Sequence, residues 1–232
     1  MEIFSVQGWD LLLRWIHFLA GITWIGLLYY FNFVQGEWFK ETDASAKSAA
    51  IQKLVPRALW WFRWSAMITF LAGVLTLLSI GHQAGGFGVF ASSWGILILT
   101  GSVLGTLMFL NVWLIIWPKQ QIVIASNNQV AEGGEPLPEA AECTAKAGLA
   151  SRTNTLFSIP MLLFMGAASH YPLVVTEETS YTTLFWVLAI IIGLIEINAI
   201  IGKPGPMASV KGVITSGVIL SIVLFGAIGI LV

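Results

Sequence analysis

The sequence has few charged residues, fewer than a soluble domain contains. Lys and Arg number 11 and Asp and Glu 12, so 10% of the 232 residues are charged, against about 25% in soluble proteins. The formal net charge is −1. Since no basic excess is available to neutralise phosphates, we expect no nucleic-acid partner.

Cysteine is also nearly missing, because Cys143 is the single one in the sequence. One cysteine excludes an internal disulfide, a four-cysteine zinc site and a haem attached covalently through CxxCH within this sequence. The opening residues MEIFSVQGWD contain no Lys or Arg. They therefore lack the basic segment of a secretory signal peptide, and we expect the first apolar run to remain as a membrane span.

Long apolar runs are what the sequence has in abundance. Hydrophobic residues make up 57% of the chain, and a helix needs about 20 mostly apolar residues to cross a bilayer. The pattern predicts an all-α, polytopic membrane helical bundle that forms a single integral-membrane domain over residues 1–232. We predict six transmembrane helices, at residues 9–34, 63–80, 94–117, 156–171, 182–201 and 210–232.

The basic residues predict the orientation of these helices. Lys and Arg concentrate in three connections, at 35–62, 118–155 and 202–209, and at the span ends beside them, whereas the segments 81–93 and 172–181 contain none. Because Lys and Arg favour the cytoplasmic side, the three basic loops are predicted to be cytoplasmic and both termini periplasmic. Residues 41–54 are predicted to form a short helix started by a Thr/Asp cap, and 126–143 a polar mobile loop.

One group of polar residues lies in the outer half of the first span. Asp10, Arg14 and His17 share a helical face with Gly21 and Trp24. A neutral imidazole is a haem ligand, so His17 and His170 are predicted to bind the iron of a haem b, with Arg14 on a propionate. The alternative for His17 is a hydrogen-bonded core residue, with Arg14 extending to water or pairing with Asp10.

A second group lies toward the cytoplasmic side. An ionisable residue inside a span indicates a functional site, and the partner predicted for Glu196 is Arg63 or Arg152. These three are the predicted catalytic residues. The predicted substrate-binding residues for a small planar anion are Asn111, Asn154, Asn198 and Arg57. The alternatives are a structural ion pair that ties helix ends together and a proton path.

Four long stretches carry a family resemblance: HFLAGITWIGLLYYFNFVQ, LVPRALWWFRW, MFLNVWLIIWPKQQIVIAS and SRTNTLFSIPMLLFMGAASH. They are similar to the N-terminal membrane domain of the membrane-bound, cytochrome c-linked urate hydroxylases. The resemblance implies a bacterial inner-membrane protein of purine catabolism that oxidises urate to 5-hydroxyisourate. It also implies that the electrons leave through cytochrome c.

The family usually carries a cytochrome c domain after the membrane domain, and this sequence has no CxxCH motif. We therefore expect the electrons to pass to a separate cytochrome c. A second hypothesis is a non-catalytic haem-binding or anchoring subunit of a larger membrane complex. A third is a transporter for a purine or another small anion, although the two halves show no inverted repeat.

Overall fold

The computed structural model describes residues 4–176 and 178–232, and this part of the chain is helical without β-strands. The long helices are α1 (Val6–Tyr29), α4 (Val55–Gln83), α5 (Ser93–Leu110), α6 (Trp117–Ala131), α7 (Ala140–His170), α8 (Tyr181–Ile201) and α9 (Val210–Leu231). The short ones are α2 (Gly36–Glu41) and α3 (Ala44–Lys53).

Three of the long helices have a serine side chain as their N-cap. Ser92, Ser180 and Ser209 each accept a hydrogen bond from a backbone N–H in the first turn of α5, α8 and α9. An N-cap of this kind satisfies one of the unpaired donors at a helix start. Asp43 caps α3 in the same way, through Ala46 N at 2.8 Å, which confirms the short helix predicted in this segment.

Two short segments of π-helix lie within the long helical rods. The first, π1 (Tyr30–Gln35), joins α1 to α2, and the second, π2 (Asn111–Ile116), joins α5 to α6. In π2 the N–H of Trp117 bonds to the carbonyl of Val112, five residues earlier. The helices continue through both segments, so that residues Val6–Glu41 and Ser93–Ala131 are each one uninterrupted rod.

Hydrogen bonds between loops and helix ends define one end of the bundle, here called the upper end. Ser79 of α4 bonds to Asp10 of α1, and Leu173, just after α7, bonds to Ser93 of α5. Thr179, just before α8, bonds to the carbonyl of Val232. Thus α1 begins and α9 ends at this upper end.

The lower end carries nearly all of the basic residues. The connections between α1 and α4, between α6 and α7 and between α8 and α9 lie there, and they contain or adjoin Lys40, Lys47, Lys53, Arg57, Lys119, Lys146, Arg152, Lys203 and Lys211. The three predicted basic loops therefore share one end of the bundle. That this end faces the cytoplasm stays a prediction.

Within the described part of the chain, five helices are long and apolar enough to cross a membrane: Val6–Glu41, Val55–Gln83, Ser93–Ala131, Tyr181–Ile201 and Val210–Leu231. Helix α7, which contains the predicted span 156–171, is not among them. It is nevertheless the central helix, packed against α5, α6, α8 and α9. Its end bonds to Ser93 at the upper end, and its start follows Leu137, which bonds to Ser126 at the lower end, so α7 runs the height of the bundle.

The connecting segments contain more helix than the sequence predicted. Residues 126–143 are not a long loop, because α6 continues to Ala131 and α7 begins at Ala140. Likewise the predicted loop 35–62 consists largely of α2, α3 and the first turns of α4. These helices are polar because they lie beyond the apolar spans, so hydropathy did not reveal them.

Candidate functional site

A buried polar layer crosses the lower half of the bundle on α7. The side chains of Thr153, Asn154, Thr155 and Ser158 are 0% exposed. The three hydroxyls bond to carbonyl oxygens within α7, one turn back or less. Their hydrogen bonds are thus satisfied locally, whereas the Asn154 amide is left to bond to neighbouring helices.

Asn111, Asn154 and Glu196 form the centre of this layer and are here called the amide–carboxylate cluster. Asn111 donates from Nδ2 to Asn154 Oδ1 at 3.0 Å and to Glu196 Oε2 at 3.1 Å. Asn154 in turn donates from Nδ2 to the carbonyl of Met108 at 2.9 Å. One chain of hydrogen bonds therefore connects α5, α7 and α8.

The second π segment positions Asn111 for this role. Asn111 is its first residue and is 1% exposed. The wide turn of a π-helix is rare and occurs frequently at functional sites. Pro118, directly after Trp117, has no N–H to donate to the preceding turn, so an irregular turn costs little at this place.

The chemistry available to the cluster is proton transfer next to a polarised amide. The Glu196 carboxylate is half-buried and accepts from the Asn111 amide, whose second proton is already given to Asn154. A carboxylate in this position can accept a proton released by a reaction at its exposed side. The two asparagines, with their hydrogen bonds made inside the protein, hold the carboxylate rather than a ligand.

Neither predicted arginine partner contacts Glu196. Arg152 instead pairs with Glu37 of α2, with Nη2 at 3.6 Å from Oε1. Its Nη1 is buried without a hydrogen-bond partner. The prediction of an Arg–Glu196 pair was wrong because depth in the membrane placed these residues at a similar level, while their helical faces point to different neighbours.

Arg63 lies among aromatic rings on the far side of α5. Its Cζ is 3.8 Å from the ring centroid of Trp117 and 5.5 Å from those of Trp64 and Trp113. We call these four residues the Arg63 tryptophan cluster. The contacts of this cluster share no residue with the hydrogen bonds of the amide–carboxylate cluster, so the two are distinct sets of residues.

Two other predicted substrate-binding residues also lie outside the cluster. Arg57 is exposed at the start of α4. Asn198 closes the end of α8, where it donates to the Lys203 carbonyl at 3.2 Å and accepts from the Lys203 N–H at 3.3 Å. Of the predicted inner residues, the structure brings together Asn111, Asn154 and Glu196.

His17 packs against α4 in the upper half of the bundle. Its Nδ1 lies 2.8 Å from the carbonyl oxygen of Thr69, so Nδ1–H donates and the lone pair of the neutral ring is on Nε2. A Cβ on Gly73 would lie 3.0 Å from Cε1 of His17. The ring of His17 thus occupies the space that the missing side chain of Gly73 leaves, whereas Gly21 faces the methyl group of Thr69.

The residues above His17 are held differently. Asp10 accepts from Ser79 at 2.6 Å and from Gln83 at 2.5 Å, which fixes the top of α1 to α4. Arg14 is exposed. It thus lies at the surface of α1 rather than in the bundle interior.

The two histidines predicted to bind a haem differ in their surroundings. His17 has the arrangement of a ligating histidine, with one nitrogen held by a carbonyl and the other without a hydrogen-bond partner in the described structure. Tyr29 bonds to Ser158 at 2.9 Å, and both histidines lie about 12 residues, or about 18 Å, above this pair. Twelve residues rotate a side chain by about 120° beyond three full turns of an α-helix. Each histidine therefore points about 120° away from the side on which Tyr29 and Ser158 meet, and the two histidines are not brought together.

His170 is exposed at the upper end of α7. The described residues contain no group of three or more His, Cys, Asp or Glu side chains that could hold a metal ion. His17 thus offers one free ring nitrogen and His170 lies at the exposed end of α7, so a haem ligated by these two histidines stays a prediction.

The sequence prediction missed the contact between Asn32 and Ser151. Asn32 lies in π1, is 5% exposed and donates to Ser151 Oγ at 2.8 Å. Each π segment thus holds one asparagine that bonds to the same part of α7, one at Ser151 and the other at Asn154. The signal in the sequence is an asparagine near the lower end of an apolar span, in YFNFV and in FLNVW.

Comparison with protein families matched residues 84–199 to the urate oxidase N-terminal family. No curated protein and no solved structure matched the chain. The matched residues contain α5, π2, α6, α7 and most of α8, and with them the whole amide–carboxylate cluster. Since the match covers half of the sequence, this multi-pass helical membrane protein belongs to the urate oxidase N-terminal family.

Proposed function

We propose that this protein is a urate-oxidising redox protein of the bacterial inner membrane, which converts urate to 5-hydroxyisourate and passes the electrons to a separate cytochrome c. The family match over residues 84–199 carries the proposal. The location of Asn111, Asn154 and Glu196 inside the matched region supports it, because these residues form the buried polar cluster of the bundle.

The reaction consumes the urate monoanion and water and yields 5-hydroxyisourate, one proton and two electrons. The oxygen of water forms a bond to a ring carbon, and the two electrons leave the purine. In this proposal Glu196 accepts the proton, and Asn111 keeps the carboxylate oriented. Arg152 keeps its ion pair with Glu37 and is given no part in this step.

In this proposal His17 would hold a haem b, which would supply one-electron transfer when bound. The hydrogen bond from Nδ1 to the Thr69 carbonyl and the unpartnered Nε2 support His17 as its protein ligand. The same observation favours a second function, in which the chain is a non-catalytic haem-binding subunit of a larger membrane complex.

The test uses the full chain in mild detergent with urate and oxidised cytochrome c. The expected result is urate-dependent reduction of cytochrome c, with two cytochromes reduced per urate consumed. Glu196→Gln should lower this rate at least tenfold, since the amide still accepts the Asn111 hydrogen bond but takes up no proton. Glu132→Gln, on the exposed connection after α6, is the matched control and should leave the rate unchanged.

The visible spectrum of the same samples separates the two functions. A b-type haem band that disappears in His17→Ala, together with no urate turnover, would favour the haem-binding subunit. A well-folded protein without haem and without urate turnover would refute both.

A further inference from the structure

The guanidinium of Arg63 has no hydrogen-bond acceptor among the residues that the structure describes. The ion pairs among the described residues involve Lys40, Lys146 and Arg152, and Arg63 takes part in none of them. Its Nε is buried without a partner. The positive charge is instead flanked by the rings of the Arg63 tryptophan cluster. Cation–π contacts stabilise the charge but leave its N–H donors unused.

A second donor in the same cluster is also unused. Trp113 Nε1 is buried and has no hydrogen-bond partner, and its ring centroid is 5.5 Å from Arg63 Cζ. Leaving a buried donor unpaired is unfavourable. Both of these donors are buried, whereas the half-buried guanidinium as a whole carries a positive charge with no acceptor among the described residues, which suits an anion rich in oxygen.

The depth of the cluster corresponds to the headgroup region. Arg63 precedes Gln83, at the upper end of α4, by about 20 residues, or about 30 Å of helix. This length equals the thickness of the hydrocarbon core, about 30 Å. Trp60, Trp61 and Trp64 are 48%, 60% and 39% exposed. Exposed tryptophans at one level mark the interface between hydrocarbon and headgroups.

We propose that the Arg63 tryptophan cluster binds the phosphate of an anionic phospholipid in the leaflet at the lower end. A guanidinium binds phosphate oxygens through two parallel N–H donors. The cluster contains no carboxylate to receive a choline or ethanolamine group, and the guanidinium would repel one, so the headgroup is anionic. The acyl chains lie against the exposed apolar surface of α4, which includes Ile68, Leu71 and Leu75.

Native mass spectrometry of the detergent-solubilised full chain tests this proposal. The protein is titrated with phosphatidylglycerol and, separately, with phosphatidylcholine. Phosphatidylglycerol should bind more tightly. Arg63→Gln should weaken its binding about tenfold, as expected for the loss of one charged hydrogen bond. Arg63→Lys keeps the charge but loses the two-donor geometry, so its affinity for phosphatidylglycerol should lie between those of the unchanged protein and Arg63→Gln.

Arg57→Gln is the matched control, because Arg57 is an exposed arginine on the same helix, below the cluster. It should bind phosphatidylglycerol as the unchanged protein does. Equal loss in Arg57→Gln and Arg63→Gln, or equal binding of the two lipids, would overturn the proposal. Displacement of the lipid by millimolar inorganic phosphate or urate would also overturn it, since the site would then serve a soluble anion. The result is independent of urate oxidation, which is measured separately.

Discussion

At the scale of single residues, Asn111 holds the candidate site together because one amide group serves two acceptors. It donates to Asn154 on α7 and to Glu196 on α8, and it is 1% exposed. Glu196 is therefore positioned through Asn111 rather than by an ion pair. A charge inside a membrane protein is expensive, and here a neutral donor accompanies it.

Substitution of Asn111 tests this arrangement. Asn111→Leu removes both hydrogen bonds and leaves Asn154 Oδ1 and Glu196 Oε2 without this donor, so the free energy of unfolding should fall by about 1–2 kcal/mol. The thermal midpoint in detergent measures the change. Asn198→Leu, in which the lost bonds lie at the exposed end of α8, should have a smaller effect, and equal effects would contradict the role of Asn111.

At the scale of helices, α9 packs against α7 at a point where a side chain has no room. A Cβ on Gly217 would approach Ile159 Cδ1 closely and would lie 3.0 Å from the carbonyl oxygen of Leu156. Pro160 is inside α7. Because a proline has no N–H for the carbonyl four residues earlier, it leaves the Leu156 carbonyl without its helical donor.

Gly217→Ala should therefore separate α9 from α7 and lower the thermal midpoint. The expected cost is about 1–3 kcal/mol, as for other overpacked sites. Gly226→Ala, on the same helix with no atom within 4 Å of the added Cβ, is the control. It should be neutral or slightly stabilising because alanine favours helix. A midpoint for Gly217→Ala equal to that of Gly226→Ala would show that this close approach is absent.

At the scale of the whole molecule, the height of α7 decides the topology. Its lower half carries Lys146 and Arg152, which keeps it below the hydropathy of a typical span, although it runs beside α5 over the full bundle. Six crossings place the two described chain ends on one side of the membrane. Five crossings would place them on opposite sides.

Cysteine labelling of intact cells measures this topology. With Cys143 replaced by alanine, single cysteines replace Gly88, Glu135 and Val174, which lie in exposed connections. An impermeant maleimide should label the cysteines at positions 88 and 174 from outside and the cysteine at 135 only after lysis. Labelling of position 174 only after lysis would mean that α7 does not cross the membrane.

Hydropathy predicted five of the six spans as long apolar helices among the described residues, because apolar runs of this length mark membrane helices. The remaining span, 156–171, lies in α7, and the orientation predicted from Lys and Arg stays a prediction. The sequence also predicted three members of the polar layer, since Asn111, Asn154 and Glu196 interrupt apolar runs. It did not predict which of them touch. Residue order gives the depth of Arg63 and Glu196, but the direction in which each faces depends on helix packing and on a local change of helical pitch at Asn111.

The change of helical pitch at Asn111 constrains the number of residues between Asn111 and Trp117. A π-helical turn contains about one residue more than an α-helical turn, so π2 acts as an insertion that resets the angular phase of everything after it. Asn111 before the reset faces Glu196, and Trp117 after it faces Arg63. Deleting a single residue between them would rotate α6 by about 100° relative to α5. The number of residues between Asn111 and Trp117 therefore sets how the amide–carboxylate cluster and the Arg63 tryptophan cluster are oriented relative to each other.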